Sequence, residues 1–173
     1  MNLQGLIREI PDFPKTGISF KDITPLLENA EAFKSAIDSL SAPYLDKEID
    51  RVVGIDARGF LLAAPVAYRL SAGLSIVRKK GKLPSQTISA DYSLEYAENV
   101  IEMHNDTIKR GERVVLVDDV LATGGTAAAA IKLINQLGGN LLGASFLIQL
   151  DYLNGKSKLD GVQTCSLINY FSE

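Results

Sequence analysis

Two adjacent carboxylates, Asp118 and Asp119, close the apolar run Val114-Val115-Leu116-Val117, and Ala122-Thr123-Gly124-Gly125-Thr126 follows within a few residues. An apolar run without polar alternation is what a strand buried on both faces requires, so the acids stand at a strand end. There they can accept hydrogen bonds from vicinal hydroxyls such as a ribose diol. Gly124 and Gly125 let the backbone curl and aim successive N–H groups at one point. Helical spacing of apolar residues begins at about 126, and the positive end of a helix favours an anion. Thr123 and Thr126 add hydroxyl donors. The combined chemistry is a phosphate held beside a ribose diol. Either half alone would be explained by an Asp turn, a Thr cap and an eased helix start. No Gly-x4-Gly-Lys-Ser/Thr and no Gly-x-Gly-x-x-Gly occurs, which removes the nucleoside-triphosphate loop and the dinucleotide fingerprint.

Two further junctions carry chemistry. Asp56-Ala57-Arg58-Gly59 follows the apolar run 51–55, and an arginine fork beside exposed N–H groups at a helix start suits phosphate oxygens. Arg78, Lys79, Lys80 and Lys82 follow the run 74–77. Such a run is usually a solvated loop, but beside the other two junctions it would steer a polyanion.

The elements that must position these residues alternate. Residues 2–9 read as helical and 11–17 as an extended loop. Helices are expected at about 29–40, 60–70 and 126–137, and strands at 51–55, 74–77, 113–117 and 141–150. Strands separated by helices imply an α/β fold with a mainly parallel twisted sheet flanked by helices, built as a single domain over 1–173. The polar stretch 79–98 is too long for an ordinary connection and reads as a flexible loop or a small antiparallel flap. Ligands of such sheets bind at the carboxyl ends of the strands, where all three junctions lie.

Composition narrows the function classes. With 18 basic and 21 acidic residues among 173, the net charge of −3 argues against nucleic acid as the main partner. The longest apolar stretch, 60–67, is interrupted by Pro65 and far shorter than the ~20 residues of a membrane span, so no membrane partner is expected. One cysteine, Cys165, excludes an internal disulfide and fits a cytoplasmic location. A single histidine, His104, leaves no His/Cys zinc site.

The segment 114–126 resembles the phosphoribosyl-pyrophosphate (PRPP) motif of the type I phosphoribosyltransferases, and its Leu-Ala-Thr-Gly-Gly-Thr ending is similar to the adenine branch of that family. The resemblance spans nearly the whole chain. Phe13-Pro14-Lys15-Thr16-Gly17-Ile18-Ser19-Phe20-Lys21-Asp22-Ile23-Thr24-Pro25 looks like the amino-terminal signature of that branch. Gly54-Ile55-Asp56-Ala57-Arg58-Gly59-Phe60, Arg78-Lys79-Lys80-Gly81-Lys82-Leu83-Pro84 and Tyr92-Ser93-Leu94-Glu95-Tyr96 match further segments in order.

What the resemblance implies is specific. Asp118 and Asp119 would hold the ribose hydroxyls and Ala122, Thr123, Gly124, Gly125 and Thr126 the 5′-phosphate. Arg58, Lys79 and the backbone at Ala57, with a cis peptide at Asp56–Ala57, would take the pyrophosphate. Phe20 would stack on the purine with Leu150 on its other face, while the backbone of Ser19 and Lys21 reads the base edge. Glu95 and Tyr96 would belong to a flap that closes over the reaction, with Glu95 handling a base proton. Mg2+ would be carried mainly by PRPP, with no protein metal site, and the chain would form a homodimer. The substrates would be adenine and PRPP, the products AMP and pyrophosphate. Alternatives are a phosphoribosyltransferase for another base, such as xanthine or orotate, and a non-catalytic PRPP-sensing regulator.

Overall fold

The computed structural model describes residues 2–94, 97–159 and 161–172. Its centre is a seven-stranded sheet. Five strands run parallel in the order β4 (Gly73–Lys79), β3 (Arg51–Ile55), β7 (Arg113–Leu121), β8 (Asn140–Leu150) and β9 (Thr164–Tyr170). The hairpin of β5 (Thr87–Leu94) and β6 (Ala97–His104) extends the β4 edge antiparallel. A separate two-stranded antiparallel sheet, β1 (Arg8–Ile10) with β2 (Phe20–Asp22), stands apart from it. The helices are α1 (Thr24–Glu28), α2 (Ala30–Ser41), α3 (Arg58–Arg69) and α4 (Gly125–Gln136).

The central strands lack alternation because both faces are covered. Val52, Val115 and Val117 pack into one core with Leu40 of α2 and Leu62 and Val66 of α3. Val53, Val114 and Leu116 pack into the other with Ala130, Leu133 and Ile134 of α4. Successive residues of one strand thus serve opposite cores, and every position must be apolar.

Strand order explains where a ligand fits. The chain leaves β3 through α3 for one neighbour, β4, and later returns through β7 on the other side of β3. Helices α3 and α4 therefore depart from adjacent strand ends to opposite faces. Such a reversal opens a crevice at the carboxyl end of the sheet. The loop after β3 carries Asp56-Ala57-Arg58, and the end of β7 carries Asp118 and Asp119.

The parallel α/β architecture expected from the sequence is present, with corrections at its margins. Residues 2–9 are not a helix: a 3-10 turn at Gln4–Leu6 precedes β1, whose backbone groups pair with β2. Strand β7 does not end at Val117 but runs through both acids, because Asp118 pairs with Phe146 and Val120 with Ile148 on β8. The polar stretch 79–98 is mostly the β5–β6 hairpin, paired from Thr87↔His104 to Leu94↔Ala97.

Among the described residues that hairpin joins the main sheet at two register pairs, Arg78↔Glu102 and Lys79↔Ile101, with one further backbone bond from the Lys80 N–H to the Val100 carbonyl. We therefore expect the amides of β5 to exchange hydrogen at least about tenfold faster than those of β3 and β7, which lie between paired strands on both sides. Residue-resolved hydrogen exchange checks this, and equal protection throughout would contradict it.

Candidate functional site

The two acids occupy a crowded strand end. Asp119 is 6% exposed, and its carboxylate lies 2.8 Å from Nε of Arg58 as an ion pair. Asp118 turns Oδ1 back to accept from the Asp119 N–H at 2.9 Å. Gly59, in the first turn of α3, makes room for it: a Cβ there would sit 2.5 Å from Asp118 Oδ1. Burial and the adjacent carboxylate push the Asp118 carboxyl well above the usual range. Burial raises Asp119 as well, against the pull of Arg58. Two like charges this close and this poorly solvated resist joint ionisation, so the site is short of positive charge.

The loop after β7 forms a concave surface lined by Asp118, Val120 and residues 121–127. Gly124 takes φ +77°, a left-handed conformation that turns the chain into α4. No side chain caps α4, so its first-turn N–H groups remain available to an anion. Thr123 is exposed at the rim and Thr126 half-buried, while Gly124 and Gly125 are buried.

Two residues that shape this loop are distant in sequence. A Cβ on Gly124 would fall on the carbonyl oxygen of Gly155, and one on Gly155 would fall on the carbonyl of Ala122. The ring of Tyr92 on β5 packs against Gly125, with Cδ2 3.3 Å from where a Cβ would stand. The hairpin and the segment after β8 thus hold the loop from two sides. Asn154-Gly155 reads locally as a turn and gives no sign of this contact.

Arg58 is the hub of the crevice. Besides Asp119, its guanidinium donates to the Lys21 carbonyl at 3.0 Å and lies 4.7 Å from the centroid of the Phe20 ring. Phe13 meets Phe20 edge to face at 5.1 Å. The Asp56–Ala57 peptide is cis, as the resemblance implied, and Ala57 is exposed at the start of α3. Asp56 accepts from Nε of Arg78 at 2.9 Å, which ties the β3 loop to the end of β4. Lys79, Lys80 and Lys82 are exposed beside it, and Lys79 has no carboxylate within salt-bridge distance among the described residues.

The structure therefore brings together Asp118, Asp119, Arg58, Phe20 and the Lys21 backbone by direct contact. Leu150 ends β8 in the same apolar cluster as Ile23 and Leu26, just beyond β2, and Ser19 immediately precedes Phe20. Glu95 and Tyr96 lie outside the described residues.

Comparison with known proteins shows which family this sequence and fold belong to. Residues 24–163 match the family model described as the phosphoribosyl transferase domain. The chain belongs to the phosphoribosyltransferase family. Within it, the adenine phosphoribosyltransferase of Alkaliphilus metalliredigens is 54% identical over 170 residues, covering 98% of this chain and 100% of that one. The crystal structure of adenine phosphoribosyltransferase from Rhodothermus marinus superposes with a TM-score of 0.94 at 48% identity, covering 97% of this chain and 96% of the other. That of the Saccharomyces cerevisiae enzyme, complexed with an imino-altritol bisphosphate and adenine, gives 0.90 at 39% identity, covering 95% and 96%.

The raised acids of this phosphoribosyltransferase have a consequence for stability. A carboxyl whose folded pKa lies above its unfolded value contributes most to stability below the unfolded value, near 3.8, and that contribution falls as pH rises toward the folded value. At pH 7, above the unfolded value, the ligand-free fold carries some of that penalty. Asp118→Asn keeps the acceptor for the Asp119 N–H and removes a charge. The ligand-free variant should melt a few degrees above wild type at pH 7, and the gap should narrow as pH falls toward 4. A lower melting temperature at pH 7 would contradict the raised Asp118 carboxyl.

Proposed function

We infer that the protein transfers the 5-phosphoribosyl group of PRPP to adenine, giving AMP and pyrophosphate. The observation that carries this is the continuity of the β7 acids with the α4 loop: a diol-accepting pair and an anion-accepting helix start on one stretch of chain. The identity of about half the residues to curated adenine phosphoribosyltransferases over nearly full length supports the choice of base.

The chemistry follows from charge. A ring nitrogen of adenine attacks the anomeric carbon as its bond to pyrophosphate breaks, so the ribose becomes oxocarbenium-like while the leaving group gains negative charge. Asp118 and Asp119 accept the ribose hydroxyls and favour the cationic ring. The backbone of Ala122 to Thr126 holds the 5′-phosphate. Arg58 and Lys79, with the backbone at Ala57, stabilise the departing pyrophosphate. Preorganised electrostatics of this kind is usually the largest contribution to such catalysis. Phe20 and Leu150 flank the base, and the Ser19 and Lys21 backbone reads its edge. Glu95 manages the proton lost from the attacking base, and the hairpin, with Tyr96, excludes water.

Among the described residues no three His, Cys, Asp or Glu side chains converge into a metal cage. The family resemblance supports a Mg2+ held mainly by PRPP oxygens and waters, where it would neutralise the leaving group together with Arg58 and Lys79. We place the protein in the cytoplasm, as one phosphoribosyltransferase domain over 1–173 acting as a homodimer. Among the described residues no helix is long and apolar enough to cross a membrane.

Base choice tests the reading. Ala122 stands where 6-oxopurine enzymes, by resemblance, carry an Asp facing the imidazole side of the base. Backbone groups placed for an exocyclic amine would be left unpaired by a 6-oxo base, which is a strong basis for rejection. With PRPP and Mg2+, adenine should be used at least about 100-fold more efficiently than hypoxanthine or guanine. Comparable turnover with hypoxanthine would overturn the adenine assignment and leave the transferase reading standing.

A further inference from the structure

Lys21 is 4% exposed, unusual for a lysine. Its Nζ stands 3.1 Å from Glu9 Oε1, 3.1 Å from Ser19 Oγ and 4.4 Å from the centroid of the Tyr170 ring. The first two partners belong to the β1–β2 unit, Glu9 being the register partner of Lys21 on β1. Tyr170 belongs to the main sheet: it closes β9, is 8% exposed and pairs in register with Leu150 on β8. One buried ammonium thus joins the strand that carries Phe20 to the strand end that carries Leu150.

Alternation along β2 makes the division of labour clear. Phe20 takes the Arg58 guanidinium on its ring, while the neighbouring Lys21 side chain reaches the other way, to Tyr170. The Lys21 carbonyl is meanwhile held by Arg58 at 3.0 Å. Among the described residues the two-stranded sheet makes no backbone ladder to the seven-stranded one. Its register against the Leu150 side must come from side chains, and Lys21 supplies a directional, desolvated contact of the kind that fixes position.

We propose that the Lys21 ammonium, seated on the Tyr170 ring and held by Glu9 and Ser19, is a positioning element for base binding: it sets the Phe20 strand against the Leu150 strand end. This rests on the assignment of Phe20 and Leu150 to the base under the function inferred above. The side chain touches no substrate. It acts through the backbone of residues 19–21 and through Tyr170, so its loss weakens base binding in preference to PRPP binding, whose loop lies on β7 and α4.

The test compares Tyr170→Leu with Tyr170→Phe by steady-state kinetics, with Mg2+ and PRPP and the base wild type uses best, which is adenine on the reading above. Both variants lose the hydroxyl, but only Tyr170→Leu loses the aromatic face. Tyr170→Leu should raise the KM for the base at least about tenfold and the KM for PRPP by less than about threefold. Tyr170→Phe should keep both near wild type. Glu9→Ala, in which the lost side chain is 54% exposed and so not part of the core, gives a second readout should the Leu variant fold poorly. It should raise the base KM about threefold and leave the PRPP KM within twofold. Parallel rises in both KM values, no rise in either, or a Phe variant matching the Leu variant would overturn the proposal. A wild-type protein that prefers another base would overturn the adenine reading instead, and the ratio of KM values would still decide the role of Lys21.

Discussion

Two carboxylates side by side at the end of a central strand are the constraint on which the rest of the site depends. Strand β7 cannot leave the sheet at Val117, because its ladder with β8 continues to Leu121. Asp118 and Asp119 are therefore carried into a place where water is scarce and each repels the other. The neighbourhood answers that repulsion with one guanidinium, Arg58, and with a glycine at position 59 that lets α3 start close by. Charge in such a setting interacts far more strongly than in water, and on the function proposed above a developing positive ribose would meet a site already arranged for it.

Arg58 also explains how the separate pieces form one crevice. It bridges the acid on β7, the carbonyl of Lys21 and the ring of Phe20, and so spans the main sheet and the small β1–β2 sheet. A ligand that draws Asp119 or the guanidinium toward itself would alter the surroundings of Phe20 in the same motion. The glycine-rich loop after β7 is steadied separately, by Gly155 against Gly124 and by Tyr92 over Gly125. The subsites proposed for ribose, phosphate and base thus rest on different elements that meet at the reversal of strand order.

The central architecture was legible because burial on both faces writes an unbroken apolar run. Residues 51–55 and 113–117 needed no tertiary information to be read as strands, and α2 and α4 showed their faces by helical spacing. The margins were not legible for a physical reason. Residues 2–9 mix charged and apolar positions in a way that fits a helix until β2 supplies a partner for β1. Strand β9 begins Thr164-Cys165-Ser166, polar enough to pass as loop, and earns its pairing from β8. The acids, the glycine-rich loop and the basic cluster could be found by local spacing. Gly155, Tyr92 and Tyr170 could not, since their contribution is a contact made across more than thirty positions in sequence.

The roles assigned to β7 and its loop are tested most directly by a crystal structure of the protein with AMP bound. The 5′-phosphate should lie on the backbone N–H groups of residues 122–126, with the ribose diol on Asp118 and Asp119 and the adenine ring against Phe20. A phosphate seated on the Lys79–Lys82 segment, or a ribose turned away from both acids, would contradict the account.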